Sequence, residues 1–158
     1  MRIEDDDLSR PQVHALLAEH LHHMHQLSPA EQVFALDLDR LRQPDIRFWT
    51  VWDDAGTQLL GCGALKALSA TEGELKSMRT PQGLRRQGAG RRLLQHIVAT
   101  ARQRAYTRLW LETGTHPDFG PAHRLYQSAG FQFCGPFGDY LADPHSTFMG
   151  LDLGRADA

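Results

Sequence analysis

Arg85-Arg86-Gln87-Gly88-Ala89-Gly90-Arg91-Arg92-Leu93-Leu94 lies between a strand-like run, Glu74 to Thr80, and an amphipathic helix. In that helix Leu93, Leu94, Ile97, Val98 and Ala101 fall at i, i+1, i+4, i+5 and i+8, one stripe of a 3.6-residue period. Arg91, Arg92, Gln95, Thr100 and Arg102 take most of the opposite face. The glycines therefore stand where a loop becomes a helix. A helix start carries backbone N–H groups without intrahelical partners and the positive end of the macrodipole. Glycine lets a bulky anion approach that backbone closely. With Arg85, Arg86, Arg91 and Arg92 around it, the stretch reads as a phosphate cradle.

The rest of the chain narrows what the cradle serves. The chain has 158 residues and a formal net charge of -2, which suits one folded domain and argues against general nucleic-acid binding. Cys62 and Cys134 form no CxxC pair; they fit a reducing compartment and read as buried small hydrophobes. The start, Met1-Arg2-Ile3-Glu4-Asp5-Asp6-Asp7, is acidic and lacks the apolar stretch of a signal peptide. No apolar run approaches the roughly 20 residues of a membrane span. A cytoplasmic protein is expected.

Residues 2 to 5 read as a first strand. Ser9 and Pro11 open a helix over 10 to 26, with Val13, Leu16, Leu17, Leu21 and Met24 at helical spacing. Ser28-Pro29-Ala30-Glu31 is a capping box that starts a second helix running to about Leu41. His20, His22, His23 and His25 could pair at i, i+3, but no HExxH or acidic partner completes a ligand set, and no metal is expected. Ile46 to Trp52 is rich in aromatic and β-branched residues and reads as a strand. Gln58 to Leu68 is the next, with Gly61 and Gly63 marking a bulge or a close approach. Thr71-Glu72-Gly73 turns the chain into the strand 74 to 80. After the arginine-rich helix come a strand at 108 to 113, expected parallel to residues 74 to 80, and a helix at 120 to 128 stopped by Gly130. Strands at 131 to 134 and 146 to 153 follow, and residues 154 to 158 form a loose tail.

A P-loop needs G-x-x-x-x-G-K before Ser or Thr, which is absent, and a dinucleotide fingerprint needs a third glycine where Leu93 stands. What remains is R-x-x-G-x-G at Arg85, Gly88 and Gly90. This resembles the pyrophosphate signature of the GNAT superfamily of N-acetyltransferases. Ala122-His123-Arg124-Leu125-Tyr126-Gln127-Ser128-Ala129-Gly130-Phe131 is similar to that family's A-x-x-L-Y-x-x-x-G-F. Glu74-Leu75-Lys76-Ser77-Met78 is similar to its fourth-strand pattern. The element order β-α-α-β-β-β-α-β-α-β-β is that of the GNAT fold. The resemblance implies an α/β (α+β) domain over residues 1–158, with a mixed, mostly antiparallel sheet of six to seven strands flanked by four helices. One departure is Phe119, where an asparagine that contacts the CoA arm is customary.

The resemblance also assigns roles. The main chain of Met78, Arg79 and Thr80 would pair with the pantetheine of acetyl-CoA, and Arg85, Arg86, Gln87, Gly88, Ala89, Gly90 and Arg91 would hold the pyrophosphate. Glu74 matches a position where several members keep a general base; by the two-residue strand period it would share a face with Met78. Glu112 is the alternative base. Tyr126 matches a tyrosine beside the sulfur that can protonate the departing thiolate, or it is a packing aromatic. An alkyl ammonium, with a pKa of about 10, must lose a proton before it attacks. No Cys or Ser stands in a nucleophile setting such as G-x-S-x-G, so the amine is expected to attack bound acetyl-CoA directly. The acceptor, a small-molecule amine, an amino acid or a protein amine, would meet the first two helices and the loop from Phe137 to Ser146, where Asp139, Tyr140, Asp143 and His145 offer polar groups. The expected protein is a monomer or homodimer with no nucleic-acid or membrane partner. The competing readings are an acyl-CoA-binding module of the same fold without turnover, and a nucleic-acid binder using the arginine cluster.

Overall fold

The computed structural model describes residues 1–24, 37–84 and 87–154. Its elements are strand β1 (Arg2–Asp5), helix α1 (Pro11–Met24), a helical segment α2 at residues 37–41, strands β2 (Ile46–Trp52), β3 (Leu59–Ala67) and β4 (Glu72–Arg79), helix α3 (Ala89–Gln103), strand β5 (Arg108–Gly114), helix α4 (Gly120–Ser128), and strands β6 (Gln132–Cys134) and β7 (Ser146–Asp152). Seven strands hydrogen-bond in the order β1-β2-β3-β4-β5-β7-β6. The pair β4–β5 is parallel, as the strand–helix–strand order requires. The pairs β1–β2, β5–β7 and β6–β7 are antiparallel. Most of the expected second helix and its capping box lie outside the described residues.

Contacts divide the chain into two compact units, Met1–Leu65 with Ser77–Leu93, and Lys66–Lys76 with Leu94–Ala158. The first unit has a core of Leu8, Val13, Leu16, Leu17, Leu38, Leu41, Phe48, Trp52, Leu59, Cys62 and Ala64. The apolar stripe of α1 supplies Val13, Leu16 and Leu17, as its helical spacing predicts. At its edge Arg47 clasps Asp5 through Nε at 2.7 Å and Nη2 at 3.1 Å. Arg10 lies 4.4 Å from the Trp52 ring centroid and donates to Glu4 at 2.7 Å.

The second unit buries Leu94, Ile97 and Ala101 of α3, Leu109 and Leu111 of β5, and Met149 and Leu151 of β7. Gly130, at φ 102°, ends α4 as expected, in a conformation that favours glycine. Thr100, assigned from its spacing to the outer face of α3, is buried instead; its hydroxyl donates to the His96 carbonyl at 2.9 Å and so tolerates the interior. Cys62 is buried as expected, but Cys134 is exposed, because all of the short strand β6 is exposed. The turn before β4 falls at residues 68–71, where Leu68 donates to the Glu72 carbonyl at 2.9 Å. Glu72 and Gly73 are already strand. Among the described residues no helix is long and apolar enough to cross a membrane.

Candidate active site

The first unit holds the expected donor-binding stretch. Gly88 sits at φ 85°, a conformation that L side chains rarely adopt, and a Cβ placed on it would meet nothing within 4 Å. Its carbonyl accepts from the Arg92 N–H at 3.0 Å, which sets the first bond of α3. The N–H groups of Ala89, Gly90 and Arg91 then fall in the first turn, where helix geometry gives them no partner within the helix. Ala89 is buried and anchors this turn, whereas Gln87, Gly88 and Arg91 are exposed. Backbone donors at a positive helix end suit an anion of phosphate type. Arg85 and Arg86 lie outside the described residues.

Upstream, Ser77 in β4 has φ 56°. A left-handed residue in a strand acts as a bulge and interrupts the two-residue alternation. With Ser77 between them, the four-residue spacing of Glu74 and Met78 does not by itself place them on one face. Gly61 marks a close approach: a Cβ there would stand 3.2 Å from the Arg79 carbonyl oxygen. The buried Cys62 thiol donates to the Ser77 carbonyl at 3.3 Å, and burial pushes its pKa up to about 12, so it remains a thiol. Arg79 turns its guanidinium to Glu19 on α1, Nη2 to Oε1 at 3.0 Å.

The second unit holds the expected base. Glu74 is only 4% exposed. The Tyr140 hydroxyl donates to its Oε2 at 2.6 Å, and Lys76 Nζ stands 3.5 Å from the same oxygen. Tyr140 closes on Phe137 and Phe148, with ring centroids 5.0 and 5.6 Å away. Phe137 stacks on Trp110 at 5.4 Å. Trp110 is the register partner of Glu74, and its indole N–H donates to Glu72 at 2.7 Å. Glu112, the alternative base, lies on β5 in register with Phe148. Burial first, then the bond to Glu74, then the charges of Glu74 and Glu112, hold the Tyr140 phenol well above its ordinary pKa. An open groove of about 600 Å³, lined by Glu72, Thr107, Arg108, Trp110, Asp152 and Gly154, shares Trp110 with this aromatic row.

Tyr126 is buried in α4 with its ring edge-on to Phe131 at 5.9 Å, and burial alone raises its phenol pKa well above the usual value. Phe119, at the customary asparagine position, covers Gly114 so closely that a Cβ there would come within 2.3 Å of its ring. His123 pairs its Nε2 with the Gly114 carbonyl at 2.9 Å. Among the described residues no group of three or more His, Cys, Asp or Glu is placed to hold a metal. Sequence reasoning named Tyr140 only as a loop polar group. Its contact with Glu74, 66 residues away, left no local signal.

The chain belongs to the acetyltransferase (GNAT) family, whose model matches residues 11–131. It is 51% identical over 149 residues to the N-acetyltransferase YsnE of Bacillus subtilis (strain 168), itself uncharacterized, spanning 94% of this chain and 97% of that one. It is 49% identical over 151 residues to the N-acetyltransferase YedL of Escherichia coli (strain K12), likewise uncharacterized, spanning 96% and 94%. Among solved structures, one from Klebsiella pneumoniae, assigned as an acyl-CoA N-acyltransferase, superposes with a TM-score of 0.76 at 30% identity, covering 96% of this chain and 97% of that one. A Bacillus subtilis acetyltransferase in complex with CoA shares the fold, with a TM-score of 0.69 at 19% identity over 96% and 98% of the two chains. The chain is thus an acyltransferase of a family that uses acyl-CoA as co-substrate and amines as acceptors.

Proposed function

We infer that the chain moves the acetyl group of acetyl-CoA to a primary amine of a small molecule or an amino acid, with a protein amine as the remaining acceptor class, by direct attack in a ternary complex. The observation that carries this reading is the start of α3. Gly88 at φ 85° lies under open space beside the first-turn N–H groups of Ala89, Gly90 and Arg91. On this reading those groups and Gln87 bind the pyrophosphate, with Arg85 and Arg86 beside them in sequence adding positive charge. Met78, Arg79 and Thr80 offer main-chain atoms to the amide-rich pantetheine.

The bound thioester supplies an activated acyl group. The protein then needs a group to take the ammonium proton and one to meet the departing thiolate. Glu74 is the base, with a carboxylate held in place by Tyr140 and Lys76. Tyr126, which burial holds as a neutral phenol, is the acid toward sulfur. A thiol of pKa about 8.5 leaves fairly well unaided, so this acid contributes less than the base. The reading extends to a single catalytic domain over residues 1–158 working in the cytoplasm, as a monomer or homodimer.

Calorimetric titration with acetyl-CoA, with CoA and ATP as controls, tests the donor site. Thiol release over a panel of amines tests turnover. Selective CoA-type binding together with amine-dependent thiol release is the expected outcome. Binding without thiol release for any amine would replace the enzyme's donor-to-amine chemistry with acyl-CoA sensing.

A further inference from the structure

Glu74 has the position of a base but not the accessibility of one. It is 4% exposed, and Oε2 is already occupied by Tyr140 at 2.6 Å and faced by Lys76 at 3.5 Å. A substrate ammonium of any bulk must therefore reach it through a group that touches it. Lys76 is ill suited, because a charged ammonium offers no acceptor and repels a second cation. Tyr140 is well suited. Its hydroxyl spends its proton on Glu74, which leaves a lone pair on Oη, and its side chain is only half-buried.

We propose that Tyr140 relays the acceptor's proton to Glu74. This rests on the reading of Glu74 as the base. The substrate ammonium donates to Tyr140 Oη. As its N–H bond breaks, an O–H bond forms at Oη, and the proton already on Oη passes to Glu74 Oε2. The substrate becomes a neutral amine, Glu74 becomes a carboxylic acid, and Tyr140 ends as it began, a neutral phenol. The amine nitrogen then attacks the thioester carbonyl; a C–N bond forms, the C–S bond breaks, the departing thiolate takes the Tyr126 proton, and the second proton shed by the acylated nitrogen restores Tyr126 through solvent. Glu74 returns its proton to solvent before the next cycle. The raised phenol pKa agrees with this, since Tyr140 never works as a free phenolate. The charged groups that act on the pair are Lys76 on β4, 3.5 Å from Glu74, and Glu112 on β5, whose charge bears on Tyr140. The packing of Tyr140 against Phe137 and Phe148 fixes the ring and so the direction of the relay.

The test compares two acceptor probes in the full chain. Phenethylamine is charged at neutral pH and must lose a proton; methoxyamine is already neutral. Thiol release from acetyl-CoA is measured for Tyr140→Phe, Glu74→Gln and the double variant. If the relay operates, Tyr140→Phe lowers kcat with phenethylamine by roughly 10²-fold and methoxyamine changes by less than about threefold, within the spread of a group not used for proton transfer. The double variant is then no slower than Glu74→Gln, because both act on one proton path. In both single variants the phenethylamine rate follows the fraction of neutral amine and keeps rising with pH up to the amine's own pKa of about 10, whereas the parent profile levels off at lower pH. Equal losses with both probes would mean that Tyr140 only holds the loop, and would overturn the relay. A loss in Glu74→Gln without one in Tyr140→Phe would overturn the relay and leave the base standing. No loss in Glu74→Gln would remove both.

Discussion

On the proposed reading, the start of α3 and the surroundings of Glu74 recognise their partners in opposite ways. At the α3 start the working groups are backbone N–H donors, and the side chains matter mainly by being small, as at Gly88 and Gly90, or positive, as at Arg91. Around Glu74 every working group is a side chain, drawn from β4, β5, β7 and the loop that carries Phe137 and Tyr140. A backbone site is built by local conformation, so it tolerates many neighbours and fails when bulk or negative charge is added. A side-chain site is built by distant contacts, so it fails when a single polar atom is removed.

The sharpest way to break the backbone site is Gly88→Glu. A carboxylate at the helix start meets the pyrophosphate like charge to like charge, which costs several kcal/mol, roughly a thousandfold in acetyl-CoA affinity by calorimetry. The left-handed φ of Gly88 adds about 1 kcal/mol of strain for any side chain, so Gly88→Ala should lower the melting temperature by a few degrees while losing far less affinity. If Gly88→Glu binds acetyl-CoA as well as the parent, the donor site is elsewhere.

The matching test of the side-chain site is Glu74→Gln, which keeps shape and a hydrogen-bond acceptor but removes the base. Turnover of an alkylamine should fall by roughly 10²-fold or more with acetyl-CoA affinity unchanged, most steeply below the amine's pKa. If Glu112→Gln behaves this way and Glu74→Gln does not, the base belongs on β5. Tyr126→Phe should be milder, about tenfold in kcat with little change in acetyl-CoA affinity.

Smaller effects sharpen the contrast. Tyr126 and Tyr140 both have phenol pKa values raised by burial on folding. A raised acid pKa contributes stability that is complete below the unfolded value of about 10 and is lost as pH rises beyond it. Chemical denaturation should therefore show stability falling above about pH 10, and the Tyr126→Phe variant should fall less steeply. Gly61→Ala places a methyl 3.2 Å from the Arg79 carbonyl and should cost about 1 kcal/mol with a few-fold loss of acetyl-CoA affinity; an unchanged affinity would separate that strand approach from donor binding.

Much of this molecule was legible before any coordinates. The strand Ile46–Trp52 and the helix Gly120–Ser128 fall at their expected bounds, because their residues carry the periodicity, turn chemistry and stop signal of the element itself. The loop-to-helix junction at Gly88 was legible for the same reason, since a helix start is set by consecutive residues. Thr100 and Cys134 were misread because burial depends on what covers a residue, and a hydroxyl that bonds its own helix can enter a core.

The sequence by itself determined the order of elements, the family and the loop-to-helix turn at Gly88, all set by interactions within a few residues. Only the tertiary structure decided two things. The left-handed Ser77 breaks the alternation of β4, a conformation that serine's own preferences oppose and that its neighbours must impose. And Tyr140, remote in the chain, reaches Glu74 because the packing of Phe137 and Phe148 sets its ring in place, a contact that no local pattern encodes.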